Sequence, residues 1–513
     1  MNETLDHKIR KSTKKILFDS FMGNSPKWYK KLIIFFILVN PLIVLTLGKF
    51  ISGWLILAEF ILTLTLSLKC YPLLPGGVLA LEIVFLGLVS PQSVYKEIYH
   101  NLEVILLLMF MVAGIYFMKD FLSWVFTKVL FSTKSKIKLS LMFACLGAFL
   151  SAWLDALTVT AVMIAVGISF YEIYNDIPFD EKILPLKEGN ILSVLDTADN
   201  YDNERKILKE DLKNFQGFLR NLLMHGAVGT ALVGEPQNLL IGNMVGFNFS
   251  TFFIKMAHIS IPVIFTGLLT TIFVEKYKLF GYGYQLPERV FNILKKETDS
   301  AKANMTKEKN IKLMLQAVCA LWLIVGLAFH LAPVGLMGLS VIILLTILTG
   351  KNNEQQIGKS FEDAMPFTAL IVIFFVIVGM IENTEIFKPI INFALSAKGT
   401  EQQYYFFIAS GLLSTISDNV FVATIYIQEA TKAFQNNIID REQLESLAIA
   451  INAGTNILSV ATPNGQAAFL FLLTSNIAGN IRLSYFNMLK MTFPYMITLT
   501  LVSLWFLSLD WIK

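Results

Sequence analysis

Charge is what this sequence has least of. Asp, Glu, Lys and Arg make up 16% of its 513 residues, where soluble domains carry about 25%, and that scarcity excludes a soluble enzyme. Lys and Arg number 42 against 38 Asp and Glu, too even a balance to leave an electrostatic footprint for nucleic acid. The three cysteines, Cys70, Cys145 and Cys319, lie far apart in apolar stretches. They offer neither a disulfide framework nor a metal spacing and read as small buried hydrophobes. The chain also lacks a Gly-rich phosphate loop, a His-Glu-x-x-His pair and a Gly-x-Ser-x-Gly elbow, so ATP-driven chemistry is not indicated and no cofactor is expected.

What the sequence has in quantity is apolar surface. Hydrophobic residues reach 55% and the mean hydropathy is +0.61. At about 20 residues per membrane-spanning helix, that supply allows up to about fourteen spans. The expected fold is an all-α polytopic membrane protein.

The few charges mark its topology. Residues 1–31 carry Lys8, Arg10, Lys11, Lys14, Lys15, Lys27, Lys30 and Lys31 against Glu3, Asp6 and Asp19, which places this segment on the cytoplasmic side. No small-residue cleavage site follows a short apolar region, so a removed signal peptide is not expected. Spans are expected at 32–48, 51–68, 76–90 and 102–118, then an amphipathic interfacial helix through Phe121, Trp124, Phe126 and Phe131. The apolar run 139–172 would make a straight helix of about 50 Å, too long for a core of about 30 Å. It is therefore read as a re-entrant hairpin with its tip near Asp155. A polar cytoplasmic loop follows at 173–217, then a helix at 218–247 broken at Gly234-Glu-Pro-Gln-Asn238, and a span at 252–274.

After a basic cytoplasmic linker at 275–312, the pattern returns. Spans at 313–330, 334–350 and 366–381 lead to a second hairpin, 404–428, with its tip at Ser417-Asp418-Asn419. A helix at 446–480, broken at Thr462-Pro-Asn-Gly465, and a last span at 485–509 complete the second half. Phe110-Met-Val-Ala-Gly114 matches Phe375-Val-Ile-Val-Gly379, and Leu150-Ser151-x-x-x-Asp155 matches Leu413-Ser414-x-x-x-Asp418. Gly229-Thr230 before Pro236 matches Gly454-Thr455 before Pro463. Counting crossings, the first hairpin opens inward and the second outward. The reading is two inverted repeats, each with a re-entrant hairpin and a broken helix, in about eleven spans plus two hairpins, the architecture of secondary transporters.

Asp155 and Asp418 are the leading site residues, because a carboxylate at membrane depth is costly and normally marks an ion or proton path. Ser151, Thr158, Ser414, Ser417 and Asn419 stand beside them and could add the neutral oxygens that hard cations favour. Glu235, Asn238, Thr455, Asn456, Thr462 and Asn464 line the two helix breaks, where freed carbonyls and helix ends can face an ion. A simple kink and a hydrogen-bonded hairpin tip are the bland alternatives. Glu59 and Glu82 read as pairing groups, and His225, just before the first break, could modulate the response to pH.

Ser25-Pro-Lys-Trp-Tyr-Lys, Lys69-Cys-Tyr-Pro-Leu-Leu-Pro-Gly-Gly77, Phe149-Leu-Ser-Ala-Trp-Leu-Asp-Ala-Leu-Thr158, Gly234-Glu-Pro-Gln-Asn238 and Ala461-Thr-Pro-Asn-Gly-Gln-Ala-Ala-Phe-Leu-Phe471 resemble the NhaB sodium/proton antiporters of bacterial inner membranes. The resemblance runs nearly end to end. It implies the ion-transporter superfamily fold, in which hairpin tips and broken-helix loops bind the transported ions and scaffold and transport domains shift against each other. On this reading Na⁺, Li⁺ and H⁺ are the transported partners, lipid is the surroundings, and a homodimer is left open. Two competing readings are an anion, dicarboxylate or arsenite carrier of the same superfamily and a membrane-embedded enzyme. The first should present neutral or cationic groups at the tips, where this chain has aspartates; the second needs a nucleophile and base that are absent from the motifs.

Overall fold

The structure is a computed structural model that describes residues 13–67, 69–100, 102–154, 156–177, 198–232, 235, 237–329, 331–350, 353–362, 364–397 and 399–509. Among these every regular element is helical. In chain order they are α1 (Thr13–Ser20), α2 (Lys27–Thr65), α3 (Leu73–Phe85), α4 (Pro91–His100), α5 (Leu102–Tyr116), α6 (Lys119–Leu130), α7 (Lys136–Leu154) and α8 (Ala156–Asp176). Next come α9 (Ala198–Ala231), α10 (Gln237–Val245), α11 (Phe249–Lys276), α12 (Glu288–Ala303), α13 (Lys307–Ala328), α14 (Val334–Thr349), α15 (Glu354–Glu362), α16 (Met365–Thr384) and α17 (Lys388–Ser396). The last are α18 (Thr400–Ile416), α19 (Asn419–Gln435), α20 (Arg441–Ile457), a 3₁₀ turn (Leu458–Ala461), α21 (Ala467–Thr474), α22 (Asn476–Asn480) and α23 (Tyr485–Ser508).

Seven of the described helices are long and apolar enough to cross a membrane. The number rises to eight when Met109–Tyr116 and α6, bent by 66° from each other, count as one span. Their outward surfaces are apolar: Leu45 is 83% exposed, and Phe265, Leu269 and Leu501 are exposed as well. Lipid tolerates such a surface where water does not. The bend before α6 gives the amphipathic segment expected there its own helix. Residues 198–217, read as polar loop, form the first turns of α9, and the linker 275–312 carries α12.

The chain divides into two compact units, residues 1–100 with 369–390, and residues 101–368 with 391–513. In unit 1, the 39 residues of α2 would stretch about 58 Å as one straight helix. They do not, because Gly48 leaves helical geometry at φ 79° and ψ 175°. Asn40, eight residues before it, donates a 2.8 Å hydrogen bond to Glu59, which a straight helix would hold about 28 Å away. The element is therefore two arms folded back at a glycine, matching the two spans expected at 32–48 and 51–68. Phe60 packs edge-on to Phe374 at 5.8 Å, Trp54 stacks on Phe387 at 5.6 Å, and Asn383 donates to the Leu88 carbonyl at 2.7 Å. Lys30 closes the end of α1 by donating to the carbonyls of Asp19 and Gly23, both at 2.7 Å, a favourable place for a cation.

In unit 2 the helices cross where glycine lets backbones touch, the packing mode that membrane helices favour. A Cβ on Gly229 of α9 would lie 2.2 Å from the Ala144 carbonyl oxygen of α7, and one on Gly454 of α20 would lie 2.3 Å from the Phe407 carbonyl oxygen of α18. Ala144 and Phe407 stand the same distance before the two candidate aspartates (155 − 144 and 418 − 407, both 11). At both places a glycine of the later helix meets a backbone carbonyl of the earlier one. The run read as two half-helices forms α7 and α8 of 19 and 21 residues, about 28 and 31 Å, each by itself long and apolar enough to cross a membrane.

Candidate ion-binding site

The expected second hairpin tip falls where α18 gives way to α19. Ser417 is extended and Asp418 is the N-cap of α19. The Asp418 carboxylate accepts hydrogen bonds from the Val420 and Phe421 amides at 2.9 and 3.2 Å, so it sits at the positive end of the helix. The next side chain, Asn419, is buried and donates to Glu235 Oε2 at 3.1 Å. Glu235 itself is only 3% exposed and lies between α9 and α10, in the first break. The first break and the second hairpin tip therefore meet through an amide and a carboxylate.

The two breaks also meet each other. Gln237 Nε2 donates to Asn456 Oδ1, and Asn456 Nδ2 donates to Asn238 Oδ1 at 2.8 Å. Gln466 Nε2 donates to the Asn456 carbonyl at 2.9 Å and to Ser459 Oγ at 2.6 Å. Thr462 Oγ1 donates to the Thr415 carbonyl and accepts from the Gly465 amide at 3.1 Å, tying the second break to the end of α18. Gly465 is required there, since a Cβ would fall 2.5 Å from the Ser459 carbonyl oxygen and 2.6 Å from that of Ser414.

Of the residues named from the sequence, Glu235, Asn238, Asn419 and Asn456 come together directly. Asn464 is buried in the second break. Thr455 instead turns its hydroxyl to its own helix, donating to the Ile451 carbonyl at 2.9 Å. Ser151 donates to the Thr230 carbonyl at 3.2 Å and so joins α7 to α9, while Thr158 is buried on α8. Asp155 lies outside the described residues. Four buried oxygens, Ser414 Oγ, Ser417 Oγ, Gln237 Oε1 and Gln466 Oε1, have no hydrogen-bond partner among the described residues. Neutral oxygens in dry surroundings suit a hard monovalent cation, which needs no cluster of soft ligands. Among the described residues no group of three His, Cys, Asp or Glu side chains could hold a metal ion.

His225 belongs to a different set. Fully buried, it faces Glu275 Oε1 at 2.8 Å through Nε2 and the Tyr495 hydroxyl at 2.8 Å through Nδ1. Glu275 Oε1 also takes Lys136 Nζ and Ser140 Oγ, each at 3.0 Å, and its Oε2 takes the Gly283 amide at 3.0 Å. Tyr282 stacks on the His225 ring at 4.5 Å. The sequence reading missed this network, taking Glu275 for a linker acid, and placed Gln237 and Gln466 in the two break motifs without singling out either as a site residue.

Membrane-length helices that stop at buried amides, hydroxyls and a carboxylate are the broken-helix arrangement of secondary transporters. The comparisons name the kind. Residues 9–512 match the family described as Bacterial Na+/H+ antiporter B (NhaB). The Na(+)/H(+) antiporter NhaB of Shewanella halifaxensis (strain HAW-EB4) is 52% identical over 95% of this chain and 91% of its own length. Those of Serratia proteamaculans (strain 568) and Escherichia coli (strain K12 / DH10B) are 51% and 50% identical, over 95% and 97% of this chain and 93% and 98% of their own lengths. The chain belongs to the NhaB family. It is a transporter and not an enzyme, and the anion-carrier reading falls away with the enzyme one.

Proposed function

We propose that Na⁺/H⁺ exchange by this chain runs through the carboxylates Asp155, Asp418 and Glu235, each alternating between proton and cation. Ser151, Thr158, Ser417, Asn419, Asn238, Thr455, Asn456, Thr462 and Asn464 supply neutral oxygens or hold those that do. The observation that carries this reading is the hydrogen bond from Asn419 to Glu235, which puts a hairpin tip against a helix break. A carboxylate in that setting can be neutralised by a proton or by Na⁺, not by both, and this competition is what couples the two flows. The matched glycine crossings support two inverted repeats, with about eleven crossings. The basic segment 1–31 then lies in the cytoplasm of a bacterium and the chain in its inner membrane, moving Na⁺, and Li⁺ with it, outward against entering H⁺. His225, joined to Tyr495 and Glu275, modulates the exchange with pH.

The bland reading of Asp418, that it merely caps α19, is separable. Asn caps a helix about as well as Asp but carries no charge. In proteoliposomes acidified inside and loaded with a pH dye, added Na⁺ should dequench the dye with the unaltered protein. With Asp155→Asn or Asp418→Asn the signal should fall to near background while thermal stability stays within about 1 kcal/mol. Full exchange by both variants from about pH 6 to about pH 9 would move the ion site elsewhere, with Glu235→Gln the next variant to measure.

A further inference from the structure

Unit 1 holds a second group of buried carboxylates. Asn40 on the first arm of α2, Glu59 on its second arm and Glu82 on α3 are 1%, 5% and 9% exposed. The Asn40 Nδ2 group donates to Glu59 Oε2 at 2.8 Å and to Glu82 Oε2 at 3.0 Å. One neutral amide thus serves two carboxylates. Asn40 Oδ1 and Glu82 Oε1 are buried with no hydrogen-bond partner among the described residues. The cluster has acceptors to spare and lacks a donor.

No positive charge among the described residues of the unit makes up the deficit. Lys30 is spent on the carbonyls of Phe18, Asp19 and Gly23, Lys49 donates to the Gly87 carbonyl, and Lys96 is exposed. Glu97 of α4 lies against Gly379. The stretch of α16 that packs on Phe60 and Gly76, residues 369–381, has no titratable side chain. Among the described residues neither glutamate forms an ion pair. Two like charges in one dry site cannot both persist, and a lone buried carboxylate pays heavily for lost hydration.

We propose that Asn40, Glu59 and Glu82 form a proton-binding site in unit 1, in which one proton is held by the pair of carboxyl groups. The bound proton supplies the missing donor: an O–H on either glutamate can reach an oxygen that now lacks a partner. This site does not depend on the assignment of Asp155, Asp418 and Glu235.

The test is infrared spectroscopy of the reconstituted full chain during pH steps between about pH 5 and about pH 9. ¹³C-glutamate labelling marks protonated glutamate by the shift of its C=O stretch, so the measurement begins on the unaltered protein. It is made in the Asp155→Asn, Asp418→Asn, Glu235→Gln background, so that the proposed transport site does not contribute. A titrating glutamate carboxyl band equivalent to one proton per chain is expected, lost when Glu59→Gln and Glu82→Gln are combined. Thermal unfolding shows whether that variant is folded. If it is not, Glu59→Gln alone must change the pH at which the band titrates. A band that persists unchanged in the folded combined variant, or no band in the background protein, overturns the proposal. So does a band that Na⁺ abolishes at constant pH, which would make the cluster a sodium site.

Discussion

Glu275 and the pair Glu59 with Glu82 are the same residue type and similarly buried, yet their surroundings are opposite. Glu275 has Lys136, Ser140, His225 and the Gly283 amide around it; Glu59 and Glu82 divide one asparagine. A carboxylate with its own cation and three further donors is a fixed anion with no vacancy for an ion. Two carboxylates on a single amide must draw positive charge from outside. Burial alone therefore does not say whether an acidic residue in a membrane is structural or exchanging. The count of donors does.

The largest expected effect comes from breaking the satisfied side. Glu275→Ala leaves Lys136, whose side chain is 9% exposed, without a counter-charge, and should cost about 3–5 kcal/mol of stability, read as a fall in melting temperature of the purified protein. Replacing both ends together, Lys136→Met with Glu275→Leu, should recover most of that loss. A single Glu275→Ala variant as stable as the parent would end the comparison. His225→Gln should cost about 1–3 kcal/mol, because the Tyr495 hydroxyl and Glu275 cannot both keep their partner. It should also flatten the pH dependence of Na⁺/H⁺ exchange, measured in proteoliposomes. Tyr495→Phe removes one hydroxyl from the same chain, where Thr271 stands 2.9 Å away, and about 1 kcal/mol is expected. The smallest effect belongs to the unsatisfied side: Glu59→Gln removes a charge that has no counter-ion, so stability should stay within about 1 kcal/mol and most exchange activity should survive. A larger loss would mean that Glu59 has a cationic partner after all.

The sequence spoke clearly where the controlling physics is local. Apolar length marks the helices, seven among the described residues, that are long enough to cross a membrane, Pro463 breaks its helix by removing a donor, and Ser417-Asp418-Asn419 interrupts an apolar run with the residues that cap a helix. The links between distant side chains were silent. Gln237 meets Asn456 across 219 residues, and His225 meets Tyr495 across 270. Lys136 looked like an interfacial lysine and Glu275 like the first acid of a linker, because pairing partners 139 residues apart (275 − 136) leave no periodic trace. Asn40 attracted no notice, since one asparagine in an apolar run has no meaning until α2 folds back on it. The polar residues 198–217 read as loop because a stretch rich in charge hides its helix from any count of apolar residues.

The turn at Gly48 bears on how the protein is made. As α2 leaves the ribosome it offers the insertion machinery a greasy run nearly twice as long as the bilayer is thick, and the charge at Lys49 is slight instruction for dividing it. Entering singly, the first arm would carry Asn40 into lipid unaccompanied and the second would carry Glu59. Entering as a pair, each arm shields the other's polar group from hydrocarbon. Biogenesis of this end of the molecule thus favours delivery of both arms at once, and a bulky residue at position 48 would be felt first as lost protein in the membrane, before any transport is measured.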